Sequence, residues 1–266
     1  MKQRIITGLI AGIGFFLLLY AGSYPFAGLI LILSVIGYDE FLRMNDLKKN
    51  KAVTYLGYAG VILLTLPWQN TMPSSWLRTE HVLWLLMFLL LAITVLSKNK
   101  ITIDHIAMMF LGMVYVGIGF HYMIETRLME GSGLFWTLLI FLCIWASDSG
   151  AYFTGTWLGR TPLWPTISPK KSVEGSLGGV AIAVVVAIVF ALVRPELLSI
   201  GHAVLMGAVI AIVGQLGDLM QSAYKRVKGI KDTGTLLPGH GGVLDRTDSW
   251  IIVFPFVHLL SLLPQL

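Results

Sequence analysis

Ser176-Leu-Gly-Gly-Val-Ala-Ile-Ala-Val-Val-Val-Ala-Ile-Val-Phe-Ala-Leu-Val193 runs for 18 residues without a charge. About 20 predominantly apolar residues, with a range of about 17–25, cross a bilayer core as a helix. This stretch therefore predicts a membrane-spanning helix, and the rest of the chain repeats the pattern. Nine spans are expected, at 5–21, 24–38, 53–68, 81–97, 104–124, 134–158, 176–193, 201–223 and 249–264. The second and third are short, and the sixth is long enough to kink or to extend beyond the bilayer. Of the 266 residues 56% are hydrophobic and 12% charged, with a mean hydropathy of +0.79. A soluble domain carries about 25% charged residues. The expected fold class is all-α, a polytopic integral membrane protein with no separate soluble domain.

The N-terminal Met1-Lys-Gln-Arg4 with apolar residues 5–20 has the outline of a signal peptide. A second apolar run follows within a few residues, so a first spanning helix is the simpler reading. The one cysteine, Cys143, lies in an apolar run, cannot form an intrachain disulfide and reads as an inert buried thiol.

Charge sets the expected orientation. With the N-terminus inside, the inner segments carry Lys2, Arg4, Arg43, Lys48, Lys49, Lys51, Lys98, Lys100, Arg160, Lys170, Lys171, Lys225, Arg226, Lys228, Lys231 and Arg246, which is 16 of the 19 Lys and Arg. Arg78, Arg127 and Arg194 remain outside. Cytoplasmic loops hold the positive excess in membrane proteins, so the expectation is N-in, C-out. The same excess accounts for the net charge of +5. No nucleic-acid-binding motif accompanies it, so no nucleic-acid partner is expected. Tyr20, Tyr24, Trp68 and Trp76 stand near span ends, as interfacial anchors do.

Two parts differ in kind. Residues 1–133 read as packing helices, with glycines such as Gly8 and Gly12 at close-contact spacing. Residues 134–266 carry the unusual polar groups, concentrated in loops 159–175 and 224–248. Asp148 lies near the middle of the sixth apolar run and Asp218 near the inner end of the eighth. A carboxylate at such depth costs about 2.5–3.5 kcal/mol even on the mild insertion scale, unless paired or liganded.

Asp245 and Asp248 are i and i+3, one face of a continuing helix and a plausible Mg²⁺ seat. Asp248 also suits a helix N-cap. Gly239-His240-Gly241-Gly242 cannot be regular helix, and its amides are expected to converge on phosphate, with His240 as a donor to it or as an acid. Lys170, Lys171 and Ser172 form a second cationic patch that suits either substrate phosphate or anionic lipid.

Ser222, Lys225-Arg226, Lys231-Asp232, Gly234, Pro238, His240-Gly241-Gly242, Asp245-Arg246 and Asp248 together resemble the signature of the phosphatidate cytidylyltransferases, also called CDP-diacylglycerol synthases. Tyr224 departs from it, standing where an aliphatic residue is expected. Ser168–Gly175 and Asp148–Tyr152 also resemble segments of that family.

The resemblance implies a homodimeric bacterial inner-membrane enzyme, with its site on the cytoplasmic side. It would condense CTP with phosphatidic acid in the lipid bilayer, using Mg²⁺. It points to Asp218 and Asp245 as metal ligands, with Asp248 and Asp148 in support. Asp218, Asp245, Lys225 and Arg246 are then the expected catalytic groups. Lys170, Lys171, Ser172, Ser222, Arg226, Lys231, Asp232, His240, Gly241 and Gly242 are expected to bind substrate. The alternatives are another CTP-using lipid or polyprenol enzyme, or an ion-coupled secondary transporter using Asp148 and Asp218.

Overall fold

The computed structural model describes residues 2–68, 78–235 and 241–264. Its α-helices are α1 (Lys2–Ala21), α2 (Ser23–Met44), α3 (Lys51–Thr65), α4 (Thr79–Leu96), α5 (Ile103–Leu128), α6 (Gly133–Leu158), α7 (Val173–Val193), α8 (Ile200–Val227) and α9 (Leu244–Leu259). Six of them, α2 and α4–α8, are long and apolar enough to cross a membrane. Gly8–Ala21 of α1 and the whole of α3 are shorter apolar helices, and α9 has 16 residues. The loop 159–175 contains an antiparallel hairpin, β1 (Pro162–Trp164) with β2 (Ser168–Ser172), pairing Pro162 with Ser172 and Trp164 with Ser168.

The chain forms two compact units. One comprises Met1–Leu128 with Asp232–Arg246, the other Met129–Lys231 with Thr247–Leu266. Lipid tails are as apolar as leucine, so helices in a bilayer associate through close packing and hydrogen bonds.

In the first unit, α5 offers Gly112 as a hole for the Phe41 ring of α2, which a Cβ would meet at 2.5 Å. Tyr38 fills the gap at Gly57, and its hydroxyl donates to the Met109 carbonyl at 3.4 Å. Arg127 closes the break between α1 and α2: Nε and Nη2 donate to the Leu19 carbonyl at 3.2 and 3.0 Å, and Nη1 to Ser23 Oγ at 3.1 Å. These bonds satisfy a carbonyl that the end of α1 leaves without a helical partner. The close contact expected at Gly12 is not made among the described residues, since a Cβ there would meet nothing within 4 Å. Tyr20 and Tyr24 are exposed, and Trp76 lies outside the described residues.

In the second unit α7 packs between α6 and α8. A Cβ at Gly179 would meet the Ser147 carbonyl at 2.7 Å, and one at Gly207 the Val184 Cα at 2.8 Å. Phe141, Trp145, Trp250 and Phe254 interlock α6 with α9, their ring centroids 4.7–6.2 Å apart. Cys143 is buried with a free thiol.

Candidate active site

α8 carries Asp218, Ser222, Lys225 and Arg226 at i, i+4, i+7 and i+8, one face of a helix. Asp218 Oδ1 accepts from Ser222 Oγ at 3.2 Å. Its Oδ2 pairs with Lys171 Nζ at 2.6 Å, and the two side chains remain 33% and 29% exposed. Lys171 comes from β2, so the loop over 159–175 delivers a cation to Asp218. Successive strand residues point to opposite faces, and Lys170 is exposed on the other one.

The hairpin is held in place by polar bonds from the helices beside it. Arg226 Nε donates to the Ile167 carbonyl at 3.2 Å. Glu174 accepts from Arg160 N at 3.1 Å and from Thr161 Oγ1 at 2.9 Å. Ser172 Oγ caps α7 by accepting from Gly175 N at 3.1 Å.

Asp148 and Asp248 both interact electrostatically with Asp218; Lys171 bears on the first and Lys225 on the second. Gly217 lets α8 meet α9 here, since a Cβ would stand 2.8 Å from the Asp248 carbonyl. Ser249 Oγ donates to the Gly214 carbonyl at 3.0 Å. Gln215, one turn before Asp218, donates through Nε2 to Ser147 Oγ at 3.2 Å and to the Ser176 carbonyl at 3.1 Å. It also accepts from Ser176 Oγ. Reading the chain for charge passes over Gln215; its signal is a buried amide inside an apolar helix.

In the first unit Asp245 is buried and ties Thr233 to Gly242. Its Oδ2 accepts from Thr233 N at 2.7 Å, Gly242 N at 2.9 Å and Thr233 Oγ1 at 3.1 Å. Gly241 takes a φ of 82°, and a Cβ there would stand 2.7 Å from that same Oδ2, so only glycine fits. Lys231, Asp232 and Arg246 are exposed. His240, with Pro238 and Gly239, lies outside the described residues.

A sequence profile described as the cytidylyltransferase family matches residues 2–263. The chain belongs to this family. It is 42% identical over 267 residues to the phosphatidate cytidylyltransferase of Bacillus subtilis (strain 168), covering 98% of this chain and 97% of that protein. The phosphatidate cytidylyltransferase of Staphylococcus saprophyticus is 37% identical over 262 residues, and that of Staphylococcus aureus (strain COL) 36% over 260, each with 98% of both chains covered.

In this cytidylyltransferase the carboxylates around Asp218 are hard oxygen donors of the kind Mg²⁺ takes. Among the described residues, however, no three His, Cys, Asp or Glu side chains converge on one point. Asp245 Oδ2 is committed to its three donors. Glu40 of α2 is a further carboxylate of this family member that charge patterning did not single out. It is buried, and its oxygens accept from Val243 N, Leu244 N and Thr233 Oγ1 at 2.8, 3.0 and 3.0 Å.

Proposed function

We propose that this cytidylyltransferase transfers the cytidylyl group of CTP to phosphatidate, giving CDP-diacylglycerol and pyrophosphate. The observation that carries the reading is family membership over residues 2–263 together with relatives of that activity across nearly the whole chain. The Asp218–Lys171 pair supplies a site of the right chemistry.

A non-bridging oxygen of the lipid phosphate attacks the α-phosphorus of CTP. The new P–O bond forms as the bond from the α-phosphorus to the oxygen bridging the β-phosphate breaks. Its electron pair leaves with pyrophosphate. The attacking phosphate is already ionised, so no general base is required. Both reactants are anions, and the protein's task is to hold them together against repulsion, by positioning and preorganised charge. Lys171 and Lys225 meet the phosphate charge, and Asp218 holds Lys171 in place until substrate competes for it. Arg226 steadies the hairpin that carries Lys171, while the exposed Lys170, Lys231 and Arg246 attract the incoming nucleotide. Bound Mg²⁺ would supply neutralisation of phosphate charge; Asp218 is the carboxylate proposed to hold it, with Asp148 and Asp248 in support. Asp245 contributes by folding the loop at Gly241 and Gly242.

The positive excess of the loops supports an N-in, C-out protein of the bacterial inner membrane. The site then faces the cytoplasm and opens sideways to lipid. The nine-span reading, the division near residue 133 and the homodimer belong to the same proposal.

The test uses purified protein, phosphatidate, Mg²⁺ and CTP labelled in both the α-phosphate and the cytosine. Both labels should enter the lipid fraction together, dependent on phosphatidate. Phosphate label without cytosine would indicate a different transfer, and neither label moving would overturn the reading.

A further inference from the structure

Glu40 lies inside α2, beside Asp39, yet the two carboxylates end in opposite surroundings. Asp39 pairs with Arg43 and Lys48 and accepts from the Tyr58 hydroxyl. Glu40 is only 4% exposed, and among the described residues no basic side chain pairs with it. A buried carboxylate without a cation is tolerated where hydrogen-bond donors replace water. Here the donors are the Val243 and Leu244 amides and the Thr233 hydroxyl. Leu244 opens α9, so Glu40 also sits at the positive end of a helix dipole.

The loop is shaped to admit this carboxylate. A Cβ at Gly234 would stand 2.5 Å from Glu40 Oε1 and 2.8 Å from its Cδ. One at Gly242 would collide with Oε2. Together with Asp245, Glu40 takes up the Thr233 amide and hydroxyl and the successive amides of Gly242, Val243 and Leu244. The sequence pattern suggested that backbone amides in this glycine loop converge on a phosphate. Among its described residues, the Gly242 amide donates to Asp245 Oδ2, and the Val243 and Leu244 amides that follow donate to Glu40.

We propose that Glu40 is a positioning residue: an internal anion that gathers Thr233, Val243 and Leu244 around itself, and so sets the first turn of α9 from which Arg246 projects for nucleotide binding. The nucleotide part rests on the function proposed above.

The full-length protein in detergent decides it. Glu40→Gln keeps the size but places an NH₂ group against a donor. Hydrogen exchange in the peptide spanning 241–248 should accelerate by about ten-fold, the consequence of losing one charge-assisted bond, with peptides of α6 to α8 unchanged. KM for CTP should rise about ten-fold while KM for phosphatidate stays put. A merely structural role would lower kcat through the active fraction and move neither KM. Unchanged exchange at 241–248, or an unchanged KM for CTP in an active enzyme, overturns the proposal. If Glu40→Gln does not fold, Glu40→Asp keeps the charge, withdraws it from the amides and is read by the same two measurements. Should the wild type transfer no cytidylyl group, the activity reading fails, and exchange alone then decides whether Glu40 anchors the loop.

Discussion

Asp218 and Glu40 are both carboxylates set into apolar helices, and each is held by a different kind of partner. Asp218 is one-third exposed and bound to two side chains, Lys171 and Ser222. Glu40 is sealed, and two of its three donors are backbone amides. A lysine can leave a carboxylate for a phosphate, because its stem turns and its charge is satisfied either way. An amide at a helix start cannot leave without unfolding the turn. On the roles proposed above, the first is a group poised to exchange partners and the second one that fixes a shape, although both are carboxylates in apolar helices.

The sharpest way to break that contrast is Asp218→Asn. Turnover should fall by at least about 100-fold, as expected when preorganised charge is removed from a transferring phosphoryl group. Thermal stability in detergent should be nearly unchanged. Chelation of Mg²⁺ should cause a comparable loss in the wild type. Near-normal turnover of Asp218→Asn at ordinary Mg²⁺ would remove Asp218 from the chemistry.

Glu40→Ala should behave in the opposite manner. It leaves the Val243 and Leu244 amides facing a cavity, while the Thr233 hydroxyl keeps Asp245 as an acceptor, and a stability loss of about 2–4 kcal/mol is expected, since each unsatisfied buried donor costs about 1–3 kcal/mol and the terms overlap. A melting temperature equal to that of the wild type would show that water replaces the carboxylate freely. Gly234→Ala approaches the same contact from the other side. Overpacking costs typically about 1–3 kcal/mol, and the loss should shrink when Glu40→Asp draws the carboxylate back. Losses that simply add would mean that the two positions do not meet.

Asp218 was legible in the chain because an acid in an apolar helix stands out against its neighbours. Glu40 was not, because its partners are backbone amides some 200 residues away, and an amide leaves no mark in a sequence. Hydropathy also ended the second span at residue 38, whereas α2 continues to Met44 with Asp39 and Glu40 inside it. Once these charges find partners, the helix has no reason to stop. The last helix shows the same effect: expected over 249–264, it runs Leu244–Leu259, since the polar residues 245–248 form its first turns. Long apolar runs were read closely, as with 176–193 against Val173–Val193. The hairpin at 162–172 escaped because its strands are too short to alternate visibly.

The smallest effect concerns two neighbours that composition cannot tell apart. Lys170 and Lys171 are adjacent on β2, and strand alternation sends them to opposite faces. Lys171 reaches Asp218 at 2.6 Å, whereas Lys170 is exposed. Lys171→Ala should lower kcat/KM roughly 10- to 100-fold, the range of a charge-assisted hydrogen bond worth about 1.5–3 kcal/mol. Lys170→Ala should stay within about two-fold, as surface substitutions usually fall within about 0.5 kcal/mol. Raising the ionic strength should shrink the Lys170 effect further, because exposed charges are screened over about 10 Å, and should leave the Lys171 effect in place. Equal losses for the two variants would mean that the lysines act as a diffuse cationic patch, and that the pairing of Lys171 with Asp218 does not direct substrate.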